Sequence, residues 1–290
     1  MARVLRKARA EMNDEQAVQL MTQVDQHRIK PDQAVTLDQI DPRGTPAWDG
    51  DKDQGKLAMR LLNTRLEALQ EQLYAEGSHR VLVVLQATDT GGKDSTIKHV
   101  FDGVNPQGVK VAPFKKPTEA ELAHDYLWRA HAQVPADGQI TIFNRSHYED
   151  VLVVRVHDLV EEARWRKRYD HIRCFEQLLV DEGTTIVKFF LHISKAEQAE
   201  RLQERLDDPQ KHWKFATGDL DERKLWEDYQ AAFTEAIEQT STAAAPWYVI
   251  PADRKWYRNL VISAILVSTL DWLDMHWPKA EEGLSDIVIT

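Results

Sequence analysis

Two short segments of this 290-residue chain carry the residue types from which phosphate chemistry is built. The first runs Gln86-Ala-Thr-Asp-Thr-Gly-Gly-Lys-Asp-Ser95 and leads into Thr-Ile-Lys-His-Val-Phe. A glycine turn, a lysine and a helix start directly after a strand make an anion cradle. Backbone N–H groups and the helix dipole face the anion, and Lys93 reaches it. The spacing departs from G-x-x-x-x-G-K-[S/T], with Ala87 at the first glycine position and Asp94 at the hydroxyl position. A tight turn that needs Gly91 and Gly92 only for its backbone is the plain alternative, but a lysine at a helix start opposes the dipole unless an anion sits there. With no hydroxyl at position 94, Mg2+ needs another hard oxygen, and Asp89 is the obvious donor. Asp94 reads as a first-turn carboxylate, and Ser95 as either a cap or a ligand.

The second segment is Phe143-Asn-Arg-Ser-His-Tyr-Glu-Asp150. Asn144-Arg145-Ser146 stands where nucleoside and thymidylate kinases resemble one another in carrying an acid, an arginine and a third polar residue; here the acid is Asn. Glu149 lies one helical turn on and offers a carboxylate to a metal or an acceptor. A capping Asn or Ser before first-turn acids explains the same residues without function. Farther on, Arg201-Leu-Gln-Glu-Arg205-Leu-Asp-Asp-Pro-Gln-Lys211-His-Trp-Lys214 sets cations on both sides of a helix-breaking proline. That suits a lid over about 201–219 that closes on phosphates, against the alternative of a solvated charged helix. Arg164-Trp-Arg-Lys-Arg168 is either a groove for an extended polyanion or a solvated face, and Lys115-Lys116, before Pro117, is a candidate contact for an acceptor phosphate.

Elements must hold these residues at one place. Val81–Leu85 is a short β-branched run of the kind buried on both faces of a parallel sheet. Similar runs at 109–112, 139–143, 184–191 and 247–250 alternate with helix-length segments at 93–103, 118–133, 159–182 and 220–238. A leucine-rich helix from Leu57 to a cap at Gly77 precedes them, and a closing helix spans about 254–275. The pattern predicts an α/β three-layer sandwich with a five-stranded parallel sheet, a helical lid and a polar N-terminal arm, divided as an arm over 1–55 and one domain over 56–290. Ligands of such sheets bind at the carboxyl ends of the strands, which is where both motifs fall.

Composition narrows the partners. With 37 Lys and Arg against 47 Asp and Glu, the net charge of −10 argues against broad nucleic-acid binding, although a local cationic cleft remains compatible with a polyanion. Cys174 is the only cysteine, so neither an intrachain disulfide nor a thiolate zinc cluster is expected, and a reducing cytoplasm is the natural compartment. No apolar run approaches the ~20 residues of a membrane span. His124 and His131 lack a third ligand, and hydrolase and zinc-protease motifs are absent.

Taken in order, Asp89-Thr-Gly-Gly-Lys93-Asp, Gly103-Val-Asn-Pro-Gln-Gly108, His124-Asp-Tyr-Leu-Trp-Arg129, Phe143–Asp150 and Asp208-Pro-Gln-Lys-His-Trp-Lys214 closely resemble the polyphosphate kinase 2 family from about residue 27 to 275. The resemblance implies a P-loop kinase fold and reversible Mg2+-assisted transfer, with Mn2+ as a substitute metal, from inorganic polyphosphate to AMP or ADP. Asn144 and Glu149 look like the branch that accepts nucleoside monophosphates as well as diphosphates. It further implies that Asp89 binds metal and that Lys93, with Gly91, Gly92, Asp94 and Ser95, binds the transferring phosphate. Arg145 would hold phosphates, and Lys116, Arg129, Asn144 and Glu149 would bear on the nucleotide. Arg201, Arg205, Lys211 and Lys214 would screen charge, in a homodimer or homotetramer. Two departures stand out: Ala87-Thr88 where relatives usually have Gly-Met, and Thr90-Gly91 where they usually have two Ala. An ATP-using nucleotide kinase on the same fold and a non-catalytic anion-binding module are the rival readings.

Overall fold

Alternate residues of the run 81–85 are buried on opposite sides. Val81, Val83 and Leu85 join one hydrophobic cluster, and Leu82 and Val84 join the other. A strand with no polar face must be covered twice, and this requirement sets the three layers.

The computed structural model describes residues 14–284, 287 and 289. In chain order its elements are α1 (Asp14–Gln23), β1 (Arg28–Ile29), α2 (Lys52–Glu76), β2 (Arg80–Gln86), α3 (Lys93–Val100) and β3 (Val109–Pro113). Next come the single turns α4 (Glu119–Leu122) and α5 (Trp128–His131), β4 (Ile140–Asn144), α6 (Val153–Val156), α7 (Glu162–Asp181) and β5 (Thr184–His192). The chain then forms α8 (Lys195–Asp207), α9 (Gly218–Lys224), α10 (Trp226–Thr240), β6 (Trp247–Pro251) and α11 (Lys255–Trp272). The sheet order is β1-β6-β5-β2-β4-β3, with every pair parallel except β1–β6.

The five predicted strands all form. The sheet nevertheless has six strands among the described residues, because Arg28 and Ile29 pair antiparallel with Tyr248 and Trp247. Two residues carry no readable period, so no sequence pattern announces β1. The first 13 residues of the expected arm lie outside the described residues. Farther along that segment Leu20, Val24, Ala47 and Trp48 are buried in the same cluster as α2 and α11. The reason lies in α11: Leu260, Ala264, Val267 and Leu270 are buried as the spacing predicts, but so are Val261, Ile262, Ile265 and Leu266. A helix apolar on all sides needs cover on all sides, and the sheet, α2 and α1 supply it.

Helix α2 starts earlier than predicted because Asp51 caps it, accepting from the N–H groups of Asp53 and Gln54 while Gln54 reaches back to the N–H of Asp51. Gly77 ends it in the left-handed conformation as expected. The single helix predicted over 118–133 is instead two isolated turns, since the Asp125 carboxylate accepts from the N–H groups of Leu127 and Trp128 and starts the chain afresh there. Such local side-chain bonds compete with helix continuation.

Candidate active site

Three parallel strands deliver the chemistry to one edge. The loop 87–92 follows β2, the Asn144–Asp150 segment follows β4, and α8 follows β5, with β2 between its two neighbours. Each glycine of the loop has its own reason. A Cβ at Gly91 would stand 2.3 Å from the Ala87 methyl and 2.9 Å from the Thr88 carbonyl oxygen. Gly92 has φ +100, and its Cβ would stand 2.1 Å from Arg258 Nη1. Thr90 and Arg145 also take positive φ, at 61° and 60°. Strain of that kind in non-glycine residues collects at functional sites.

Lys93 opens α3 and folds back so that Nζ donates to the Ala87 carbonyl at 3.0 Å. Burial, and after it the neighbouring Arg145 guanidinium, holds its pKa down to about 8, against the pull of Asp89, Glu149 and Asp94. Arg145 donates to Asp89 Oδ1 at 3.0 Å and lies 3.9 Å from Glu149. Burial raises the Glu149 pKa, with Arg145 and Lys93 opposing. Asn144 Nδ2 donates to Asp94 Oδ1 at 2.6 Å, tying the second motif to the first turn of α3. This bond explains an amide where related motifs carry an acid: a carboxylate there would face the Asp94 carboxylate.

The second motif is anchored from beneath. Ser146 Oγ accepts from Gln86 and from the N–H of Tyr148, whose hydroxyl donates to Glu176 at 2.8 Å. Lys188 Nζ, fully buried on β5, donates to Glu176, to Tyr148 Oη and to the Thr240 carbonyl. Asp150 is held by Arg168 at 3.0 Å and by Arg129 at 3.7 Å. Arg168 is therefore a buried anchor, whereas Arg166 of the same basic run pairs with Glu162 and Glu235 on the surface.

The predicted lid cations divide. Arg201 is buried under the loop rather than poised at a mobile tip: Nη1 donates to the Thr90 carbonyl at 3.0 Å, Nη2 to Ala252 at 2.6 Å, and Nε to Glu197. Arg205 is tied to the Lys214 carbonyl and to Asp219. Lys211 and Lys214 are exposed beyond the break at Pro209, with Lys214 over the ring of the exposed Trp213. Lys116 is exposed, and Arg129 donates to the carbonyl of its neighbour Lys115.

Between the two motifs and α9–α10 lies a cavity of about 210 Å³. Asp89, Arg145, Glu149 and Glu222 provide its polar wall, and Leu152, Trp226, Tyr229 and Phe233 its apolar wall. It joins charged groups to flat rings, with the Tyr229 hydroxyl donating to Glu222 at 2.7 Å, a combination that suits a nucleotide. Glu222 on α9 and Trp226 and Tyr229 on α10 escaped the sequence reading because they lie on two helices outside both motifs. Arg258 escaped too, its one signal being an arginine inside the apolar stretch 256–267. Among the described residues no group of three or more His, Cys, Asp or Glu could hold a metal, and no helix is long and apolar enough to cross a membrane.

A family profile described as polyphosphate kinase 2 matches residues 49–277. The chain is 61% identical over 263 residues to an AMP/ADP-polyphosphate phosphotransferase of Meiothermus ruber, covering 91% of this chain and 98% of that one. It is 42% identical over 266 residues to an ADP-polyphosphate phosphotransferase of Rhodopseudomonas palustris, covering 88% and 92%. The crystal structure of polyphosphate kinase 2 from Arthrobacter aurescens superposes with a TM-score of 0.85 at 46% identity, covering 87% of this chain and 90% of that one.

Proposed function

The chain belongs to the polyphosphate kinase 2 family, and on that premise we propose how its residues transfer a phosphoryl group between inorganic polyphosphate and AMP or ADP. The observation that carries the reading is the convergence of Lys93, Arg145, Asp89 and Glu149 between the phosphate loop and the aromatic cavity. Phosphoryl transfer needs little covalent help from a protein; alignment and charge supply most of the rate. The loop N–H groups and Lys93 hold the donor's terminal phosphate. Arg145, fixed by Asp89 and Glu149, bridges donor and acceptor phosphates and faces the charge that develops between them. Trp226, Tyr229 and Phe233 take the nucleoside, and Glu149 beside Arg145 reads how many phosphates the acceptor carries.

The donor set fits Mg2+, with Mn2+ as a substitute. Asp89 presents a half-buried carboxylate at the loop, and Mg2+ bound with substrate phosphates needs only one or two protein carboxylates. When bound, the metal neutralises phosphate charge. Arg205, Lys211 and Lys214 screen the chain of phosphates from the α8–α9 side. The compartment proposed is the cytoplasm, from the single cysteine, and the assembly a homodimer or homotetramer, from family likeness.

The test offers AMP, ADP, GMP and GDP separately with polyphosphate and Mg2+, with products resolved by charge. Phosphorylation of AMP and of ADP is expected; a preparation that turns over neither, or only with ATP as donor, contradicts the reading.

A further inference from the structure

Arg258 is the largest charged side chain buried completely in the described structure. It belongs to the first turns of α11, outside both motifs. Nε and Nη2 donate to Asn259 Oδ1 at 3.0 and 2.8 Å, and Nη2 reaches Ser95 Oγ at 3.3 Å. Nη1 has no hydrogen-bond partner, and no carboxylate forms an ion pair with this guanidinium among the described residues. Its unpaired end lies against Gly92, where a Cβ would stand 2.1 Å from Nη1. Arg201 Nη1 would be 3.5 Å from the same Cβ position. Two guanidiniums and Lys93 thus surround Gly92. Among the described residues, Arg201 alone of these three cations forms an ion pair within 4 Å, with Glu197.

A buried charge left unpaired costs several kcal/mol, so a fold retains one only when something else compensates it. Burial, and after it the charge of Arg201, brings the Arg258 pKa down to about 9. The missing partner is an anion. Ser95 and Gly92 place it: both stand at the N-terminal end of α3, where in the reading above the loop and Lys93 hold the donor, whereas the aromatic cavity takes the acceptor's nucleoside.

We infer that Arg258, supported by Arg201, is a positioning residue for the polyphosphate donor. It holds Gly92 and Ser95 from beneath the phosphate loop and supplies the positive charge that the donor's terminal phosphates complete. Gly92 is then required both for its backbone and for the space in which the guanidinium sits. The inference rests on the donor assignment made above and extends it to a residue that neither motif contains.

The test uses the full chain and two variants, Arg258→Met and Arg258→Lys. Separate KM values for polyphosphate and AMP are measured, with the rise in Tm produced by tripolyphosphate. For Arg258→Met the KM for polyphosphate rises tenfold or more, about 1.4 kcal/mol, while that for AMP stays within twofold. The tripolyphosphate-induced rise in Tm falls to less than half of the wild-type value. Arg258→Lys keeps charge but not the fork and lies between. If the Met variant does not fold, the Lys variant decides, by a polyphosphate KM raised at least threefold with AMP unchanged. Equal shifts in both KM values, no shift in either, or full stabilisation by tripolyphosphate would overturn the inference. Wild-type turnover separates the two levels. If the wild type makes no product the donor assignment itself fails, whereas normal wild-type turnover with an indifferent Arg258 removes only the inference.

Discussion

The phosphate loop holds a methyl group in an unusual place, and moving it has a calculable consequence. At Gly91 a Cβ would lie 2.3 Å from the Ala87 Cβ, and the backbone there needs no positive φ, so the obstacle to Gly91→Ala is this contact and the Thr88 carbonyl at 2.9 Å. Overpacking of this kind costs about 1–3 kcal/mol. In a domain of this size that lowers Tm by roughly 2–10 °C. If half of the strain is relieved by shifting the loop, kcat/KM falls by about threefold to tenfold. Removing the opposing methyl with Ala87→Gly relieves the contact, so the double variant Ala87→Gly/Gly91→Ala recovers most of both losses, with a coupling of about 1–2 kcal/mol between adjacent positions. Calorimetry and kcat/KM for AMP on the wild type, both singles and the double close the cycle. A Gly91→Ala protein indistinguishable from wild type, or one that Ala87→Gly fails to rescue, refutes the reasoning.

Other perturbations have equally definite outcomes. Asn144→Asp sets a carboxylate against Asp94 in place of a 2.6 Å hydrogen bond; kcat/KM drops by roughly fivefold, about 1 kcal/mol, and acidification recovers part of it in a pH–rate profile, whereas a loss independent of pH contradicts the assignment. Lys188→Met strands Glu176 in the core, costing about 3–5 kcal/mol in urea unfolding, and adding Glu176→Gln recovers much of it; a single variant as stable as wild type sinks the argument. Lys93, lowered to about 8 chiefly by burial, loses its charge as pH rises through that value, so kcat/KM at low polyphosphate falls there. Between about 8 and the ordinary 10.5 the unfolded chain binds more protons at this residue than the folded one, so its contribution to stability rises over the same window. A kcat/KM flat to pH 10 contradicts that role.

What the sequence disclosed, and what it withheld, follows from the range of the interactions involved. The strand 80–86 and the loop after it were legible because burial on two faces and a glycine turn before a lysine leave local marks. Asp89, Lys93, Arg145 and Glu149 were legible for the same reason, since each motif is contiguous and lies at a strand's carboxyl end. Arg201 reads as a lid cation because cations flank the break at Pro209 in a segment after the fourth predicted strand, but its position is decided by the carbonyls of Thr90 and Ala252, which are distant in sequence. Arg258 and the cavity wall from Trp226 to Phe233 were hidden likewise, their meaning arising only when α10 and α11 pack beside the loop. The burial of the segment around Leu20 and Trp48 is a demand made by α11, and a polar sequence read alone does not reveal it.

The central claim is tested most directly by incubating the protein with AMP, inorganic polyphosphate and Mg2+ in the complete absence of ATP and following ADP, with Lys93→Ala in parallel. The account predicts ADP formation that depends on polyphosphate and is nearly abolished in a folded Lys93→Ala protein. No ADP from the wild type, or undiminished ADP from the variant, would contradict it.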